Sequence, residues 1–193
     1  MKISDIIERL ANYLPEKRIR HSLGVAEAAV KLSEFRNCDK EKAEIAGLLH
    51  DVAKYVKFAD VGGYCEKYGI ELDELEIEST SLSHSIVGSY IAKHEFGIED
   101  IEILGAIRYH TTGRPNMKPL EEVIFLADLI EKNRDYPGVE ELRELAYLGK
   151  IDEAIVKSID NTIKVVISKK APLHTRTIET RNFYIKKIKN ERK

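Results

Sequence analysis

The stretch "AGLLHDVAKY", residues 46–55, places an imidazole and a carboxylate directly after an apolar helical run. His50 follows Ala46 by four residues, which puts it on the side of the helix predicted to be buried. On a continuous helix, His50 and Asp51 would point about 100° apart. We therefore expect the helix to end here, so that both side chains turn toward one partner. Gly47 would let a second backbone approach closely.

Apolar residues recur at helical spacing along nearly the whole chain. The pattern predicts helices over 3–14, 16–36, 39–55, a short segment ending at Gly69, 84–96 capped by Ser83, 99–110, 120–133, 138–149, 151–168 and 177–190. The remaining stretches, "ELDELEIESTSL", "TTGRPNMKP" and "KKAPLHTRT", are predicted as connections, the first of them acidic and at the surface. With no alternating strand pattern, the chain is predicted to be all-α.

The composition is that of an ordinary globular domain, with 43% hydrophobic and 33% charged residues. A net charge of -2 gives no reason to expect a nucleic-acid partner. No apolar stretch approaches the roughly 20 residues of a membrane span, so no membrane partner is expected. The two cysteines form no CxxC pair, which excludes a zinc ribbon and a disulfide framework. Together with the absence of a signal peptide, this favours a cytoplasmic location.

Potential metal ligands occupy apolar positions in several predicted helices. His21, His50 and His110 lie on apolar faces, and Asp128 interrupts the run "VIFLADLI". One such histidine alone is usually a hydrogen-bonded core residue, and one such aspartate is usually a cap or an ion-pair partner. Their joint occurrence is different, because nitrogen and carboxylate groups converging from separate helices form the metal sites of helical bundles. His84 is a further candidate.

In its order of ligands, His21, then "HD" at 50–51, then Asp128, the chain resembles the HD-domain superfamily of metal-dependent phosphohydrolases. The flanking sequences are similar to the YqeK branch of that superfamily. They are "RIRHSLGVAEAAVKL", "AGLLHDVAKY", "LSHSIVGSYIA", "AIRYHTTGRPNMKPLEEVIFLADLIEKNRDYPGVEELRELA" and "PLHTRTIETRNFY". The resemblance implies a single HD-domain helical bundle over 1–193 with the metal site between helices. Its core spans about 15–170, and the loop and helix over 171–193 complete the nucleotide site.

The resemblance also implies an activity, the symmetrical hydrolysis of diadenosine tetraphosphate to two ADP at an iron centre. It makes four residues metal ligands: His21, His50, Asp51 and Asp128. It assigns nucleotide binding to Arg18, His21, Asp51, Lys54, His84, His110, Thr111, Asp128, Arg134, Pro172, Leu173, His174, Thr175, Arg176 and Thr177. The catalytic group is expected to comprise Asp51, Lys54, His84 and His110.

Two histidines and two aspartates without a thiolate favour an ion such as Fe, Mn or Mg over structural zinc. We expect one divalent transition metal, Fe, with Mn, Co or Mg as substitutes. His84 and His110 could bind a second metal ion or form hydrogen bonds to phosphate. Hydrogen bonding to phosphate is favoured, because no spare carboxylate is evident that could bridge a second ion. A protonated histidine could also give a proton to the leaving ADP.

Three functions are compatible with these residues. The first is hydrolysis of a dinucleoside polyphosphate substrate by metal-activated water, with ADP as product. The second is another HD-type reaction, a nucleotidase or a cyclic-nucleotide phosphodiesterase. The third is a non-catalytic nucleotide-sensing module, which the intact ligand set disfavours. Apolar helical faces also allow a homodimer.

Overall fold

The computed structural model describes residues 2–191, which form helices joined by turns and loops. The helices are α1 (Ile3–Leu10), α2 (Glu16–Arg36), α3 (Lys40–Leu49), α4 (Phe58–Tyr68), α5 (Glu74–Glu78), α6 (Thr80–Phe96), α7 (Ile101–Tyr109), α8 (Pro119–Ile130), α9 (Val139–Tyr147), α10 (Ile151–Ser168) and α11 (Thr175–Glu191). There is no strand within 2–191, which confirms the all-α prediction. Residues 1 and 192–193, the ends of the predicted domain, lie outside the described residues.

Helix α8 lies at the centre of the bundle. The consecutive residues Val123, Ile124, Phe125 and Leu126 are all buried, and at about 100° per residue they face every side of the helix. A helix that is apolar all round belongs in an interior. Accordingly, α8 contacts α2, α3, α7 and α10. A polar residue in this helix, such as Asp128, is therefore held among neighbouring helices.

Helices α2 and α3 meet backbone to backbone at Gly47. A Cβ atom at this position would lie 2.6 Å from Ala26 Cα and 2.8 Å from Ala26 N. The expectation that Gly47 permits a close approach is thus confirmed. This approach brings His21 of α2 and His50 at the end of α3 together, with their ring centroids 5.2 Å apart.

We expect Gly47→Ala to lower the free energy of unfolding by about 1–3 kcal/mol, because a backbone cannot move aside as a side chain can. Gly63→Ala in α4 is the matched control, since a Cβ there meets nothing within 4 Å. That control should be neutral or stabilising, as alanine is the better helix former. Urea unfolding of both variants measures the difference. Equal responses would show that the helices separate freely at Gly47.

Several predicted helix boundaries are wrong, and each has a local cause. Helix α3 stops at Leu49, where the prediction ran to residue 55, because the His50 side chain bonds the Gly47 carbonyl at 2.7 Å. The acidic stretch predicted as a connection contains α5. Asp73 caps this helix, and Glu76 completes a reciprocal capping box with it. Helix α6 begins at Thr80, so Ser83 lies inside the helix and does not cap it.

The C-terminal helix α11 is joined to the bundle by buried polar contacts. The Tyr184 hydroxyl lies 2.6 Å from a carboxylate oxygen of Glu122 in α8. The Lys187 ammonium lies 2.7 Å from Asp152 in α10. These contacts fix the position of the preceding loop. That 1–193 form one domain, with 171–193 completing the nucleotide site, stays a prediction. No helix within 2–191 combines the length and apolarity that crossing a bilayer requires.

Candidate metal centre

Polar side chains from five parts of the chain converge between the central helices. His21 comes from α2, His84 from α6 and Asp128 from α8, while His50 with Asp51 and His110 directly follow α3 and α7. His50 is fully buried and Asp51 is 2% exposed. The Nε2 atom of His21 lies 3.0 Å from Asp128 Oδ1, and that of His50 lies 3.7 Å from the same oxygen. The structure thus brings the four predicted metal ligands together.

Asp51 faces two groups of histidines with its two oxygens. Its Oδ2 lies 3.5 Å from His50 Nε2 and 3.8 Å from His21 Nε2. Its Oδ1 lies 3.2 Å from His84 Nε2 and 3.7 Å from His110 Nε2. Asp51 therefore presents one carboxylate oxygen to each group of histidines.

Three histidines of the centre, His50, His84 and His110, are oriented by the same kind of contact. Each Nδ1 contacts a backbone carbonyl: Gly47 O at 2.7 Å for His50, Thr80 O at 3.1 Å for His84 and Ile107 O at 2.8 Å for His110. A carbonyl oxygen only accepts, so Nδ1 carries the proton. In a neutral ring, Nε2 then presents its lone pair to the centre, which is the form that binds a metal ion.

The donor set fits a divalent metal ion. His50 Nε2 and Asp51 Oδ1 are buried and have no hydrogen-bond partner among the described residues. The Nε2 atoms of His84 and His110 face each other at 3.1 Å. Two neutral rings would direct two lone pairs at each other at this distance, which is repulsive unless a proton or cation lies between them. Nitrogen atoms bound side by side to one octahedral ion would lie about 3 Å apart, given metal–nitrogen bonds of about 2.1 Å.

Both aspartates are held in the ionised form. Burial has the largest single effect on the pKa of Asp51 and raises it, but interactions with His50, His110 and His84 together bring the pKa well below its usual value. The pKa of Asp128 behaves in the same way, since burial is outweighed by contacts with His21, His50 and Arg134. Metal binding requires these deprotonated carboxylates.

The low pKa of His84 makes its Nε2 atom an acceptor of a proton or a metal ion. Burial is the main reason that its pKa falls to about 4, and the nearby His110 and Lys54 charges lower it further. His84 is only 3% exposed, so it is not a surface histidine. At neutral pH the ring is uncharged, so it is better suited to binding a cation than to donating a proton.

Glu131 belongs to the centre, although the sequence analysis did not identify it. Its Oε1 accepts a hydrogen bond from His21 Nδ1 at 3.1 Å. Its Oε2 accepts from the backbone N–H of Asn133 at 2.7 Å. Glu131 is 2% exposed and orients the His21 ring as the carbonyls orient the others. Its position three residues after Asp128, one helical turn, is a signal that the sequence already contained.

We expect Glu131→Gln to weaken metal binding about 10- to 100-fold, because the charge that supports the His21 ring is lost. Glu140→Gln, at an exposed glutamate of α9, is the matched control and should bind metal as the wild type does. Competition of each protein with a chelator for Mn²⁺ measures the affinity. Unchanged affinity in Glu131→Gln would show that its contact with His21 is only structural.

Three cations and a threonine adjoin the centre. Arg18 donates to Asp51 Oδ2 at 2.8 Å, and Lys54 Nζ lies 3.1 Å from His84 Nε2. Arg134 bonds the Asp128 carboxylate as well as its backbone carbonyl. The Thr111 hydroxyl lies 3.3 Å from His110 Nε2. These predicted nucleotide contacts therefore lie beside the metal ligands, and their contact with a nucleotide stays a prediction.

The predicted nucleotide loop 172–177 is held elsewhere. His174 contacts Asp73 at 2.8 Å, and Arg176 pairs with Glu76 at 2.9 Å, both on or beside α5. Pro172, Leu173, Thr175 and Thr177 have no described contact with the metal centre. The link to the centre is indirect: the Thr180 hydroxyl donates to the carbonyl of Thr112, two residues after His110, at 3.3 Å. Nucleotide contacts in this loop stay a prediction.

An all-helical bundle with an H…HD…D ligand set defines the class of this protein. The HD domain family model matches residues 18–133. The chain belongs to the HD domain family.

The most informative relatives are similar over nearly their full length. The chain is 42% identical over 172 residues to the symmetrical bis(5'-nucleosyl)-tetraphosphatase of Staphylococcus aureus, covering 89% of this chain and 88% of the relative. It is 39% identical to the protein of the same name from Bacillus subtilis, covering 89% and 91%. A crystal structure from Clostridium acetobutylicum, described as a predicted HD superfamily hydrolase involved in NAD metabolism, is 45% identical. It superposes with a TM-score of 0.92 over 97% of this chain and 98% of that one.

Proposed function

We propose that this chain is a symmetrical bis(5'-nucleosyl)-tetraphosphatase, a metal-dependent hydrolase that cleaves diadenosine tetraphosphate and related dinucleoside polyphosphates into two nucleoside diphosphates. The observation that carries the proposal is the similarity to two curated relatives of that name over 89% of the chain. The convergent histidines and aspartates support it independently, since they supply the metal site that such a reaction uses.

The proposed cofactor is iron, with Mn, Co or Mg as substitutes. His21 and His50 contribute nitrogen donors, which favour a transition metal over Mg. Asp51 and Asp128 supply the two carboxylates, and the four side chains would hold one ion together. When bound, such an ion polarises a phosphoryl oxygen and lowers the pKa of a bound water molecule.

His84 and His110 are proposed to hold a second ion with Asp51 Oδ1, which revises the expectation of a single metal. Both Nδ1 atoms face backbone carbonyls, and burial keeps the pKa of His84 low, at about 4, so the neutral His84 Nε2 has no proton to give to a phosphate oxygen. Metal analysis of the purified protein tests this point. Two ions per chain in the wild type and one in His84→Ala support it, whereas one ion in both contradicts it.

The cations around the centre are proposed to hold the phosphate chain. Arg18 and Arg134 stand on the His21 side of Asp51, and Lys54 stands on the His84 side. Arginine bonds phosphate oxygens through two N–H groups, and lysine acts as a point charge. Cations on both sides suit a substrate whose central anhydride lies over the metal ligands. Residues 172–177 are proposed to bind one of the two nucleotides.

Product analysis of diadenosine tetraphosphate hydrolysis by ion-exchange chromatography tests the proposed function. ADP as the sole product supports it, because the bond between the second and third phosphorus atoms is then the one that breaks. ATP with AMP contradicts symmetrical cleavage. No turnover of this substrate, with turnover of a nucleoside monophosphate or a cyclic nucleotide, indicates the second function. Tight ADP binding without turnover across several metals indicates a sensing module.

Two further predictions accompany the proposal. A cytoplasmic location is supported by Cys38 and Cys65, both free thiols in the structure. A homodimer is supported by exposed apolar side chains such as Leu148 and Ile167, which are 60% and 64% exposed. Light scattering of the purified protein tests the dimer.

A further inference from the structure

A cavity of about 330 Å³ opens beside the metal centre, on the side where His21 lies. Besides His21, its walls include Lys17, Arg18, Arg20, Tyr55 and Arg134. Its volume falls within the range of small-molecule sites. The catalytic and nucleotide assignments above do not account for Lys17, Arg20 or Tyr55, and these are the residues that make up the outer part of the cavity.

The cavity is strongly cationic. Four of its lining residues are Lys or Arg, and the one acidic residue, Glu131, is taken up by His21 and Asn133. Lys17 has no ion-pair partner among residues 2–191, and Arg20 pairs only with the exposed Glu16 of the same helix. An exposed pair of this type contributes little, so both charges are available to a ligand. The four positive charges that line the cavity indicate an anionic ligand with several phosphates.

Tyr55 gives the same cavity an aromatic wall. It ends the turn that follows α3, and 55% of its surface is exposed. Within residues 2–191 its ring stacks on no other ring and its hydroxyl bonds no other group. An exposed aromatic ring beside a row of cations is the arrangement that binds a nucleobase together with its phosphates.

The two sides of Asp51 are occupied differently. On the Oδ1 side lie His84, His110 and Thr111, and the chain from there reaches the loop 172–177 through Thr112 and Thr180. On the Oδ2 side lie Arg18 and His21, which lead into the cavity. A dinucleoside tetraphosphate cleaved at its centre has one nucleoside diphosphate on each side of the reacting bond. The loop can serve only one of them.

We infer that this cavity binds the second nucleoside diphosphate half of the substrate. Tyr55 stacks on its base, and Lys17 and Arg20 line its phosphates. This inference rests on the proposed function. Hydrolysis adds water across the central anhydride, so the half in the cavity leaves as one ADP and the half at the loop as the other.

The test compares diadenosine tetraphosphate with adenosine 5'-tetraphosphate, which lacks the second adenosine and would yield ADP and pyrophosphate. Tyr55→Ala is expected to lower kcat/KM about 10-fold for the dinucleotide, from the lost stacking, and to leave the mononucleotide unchanged. Tyr55→Phe, which keeps the ring, should retain activity on both. Tyr147→Ala, at an exposed tyrosine of α9 outside the cavity, is the control and should alter neither.

The charged residues give a second, independent readout. The double variant Lys17→Gln and Arg20→Gln should raise KM for both substrates, because both place phosphates in the cavity, and should do so more at low salt. If Tyr55→Ala loses kcat/KM equally on both substrates, or on neither, this inference is wrong and the proposed function is unaffected. Failure of the wild type to form ADP from diadenosine tetraphosphate overturns the proposed function, and this inference with it.

Discussion

Replacing Asp51 with asparagine is expected to lower turnover of diadenosine tetraphosphate on the order of 10³-fold and to release bound metal. Asp51 faces four histidines with its two oxygens, so its charge serves every part of the centre. A metal ion contributes several kcal/mol to stabilising a phosphoryl transition state, and each 1.36 kcal/mol changes the rate tenfold. Asparagine keeps the shape of the side chain but not the charge. Steady-state kinetics and metal analysis on the same protein measure both effects.

The matched control for this variant is Asp60→Asn. Asp60 is exposed in the first turn of α4 and has no described ion pair, so kinetics and metal content should match the wild type. Circular dichroism establishes that both variants keep their helices. Full turnover by Asp51→Asn at full metal loading would contradict a role for this carboxylate in the reaction.

The largest expected loss of stability follows from Arg36→Met. Arg36, at the end of α2, forms ion pairs with Glu122 of α8 and Asp152 of α10. Without the guanidinium, Glu122 keeps only the Tyr184 hydroxyl as a described hydrogen-bond partner, while Asp152 keeps Lys187. Stranding a buried carboxylate costs about 3–5 kcal/mol, and we expect the lower end because Lys187 remains. Urea unfolding monitored by circular dichroism measures the loss.

The loss in Arg36→Met should depend on pH. Burial is the largest effect on the pKa of Glu122 and raises it above the usual value. A raised carboxyl pKa favours the protonated form in the fold, so stability from this group is present at low pH and lost as pH rises. The difference in free energy of unfolding between the wild type and Arg36→Met should therefore become smaller as pH falls toward the Glu122 pKa.

The control for stability is Arg20→Met, the same replacement on the same helix. Arg20 makes only an exposed pair with Glu16, at 3.1 Å, which contributes about 0.5 kcal/mol or less. Losses of similar size in Arg20→Met and Arg36→Met would show that the ion pairs of Arg36 with Glu122 and Asp152 stabilise the fold no more than an exposed pair does.

Much of the fold and most of the metal centre could be predicted from the sequence because their signals are local. Apolar spacing identified α2, α7, α8 and α10 to within a few residues, and burial of α8 follows from its continuous apolar run. His50 and Asp128 stood out because polar groups in such runs need a partner. The 100° that separates adjacent side chains on a helix favoured a helix end at His50, whereas apolar spacing wrongly extended the predicted helix to residue 55.

The features that the sequence did not predict depend on contacts between helices, or on a local motif inside a stretch whose acidic composition favoured a loop. Glu131 acts through a contact with the His21 ring of another helix, and its spacing of three residues from Asp128 did not by itself indicate that contact. The position of Asp51 between two groups of histidines depends on His84 and His110 arriving from other helices at its second oxygen. The short helix α5 was not predicted, although Asp73 and Glu76 have the spacing of a capping box. Acidic stretches of this kind usually form solvated connections.

The cluster of histidines and aspartates is expected to work as a metal centre. The most direct test is ADP release from diadenosine tetraphosphate by chelator-treated protein, measured while Fe²⁺ or Mn²⁺ is added back anaerobically in known amounts. We expect no ADP without metal, and a rate that rises with bound metal and levels off once the sites in each chain are filled. Full turnover by protein that contains no metal would contradict it.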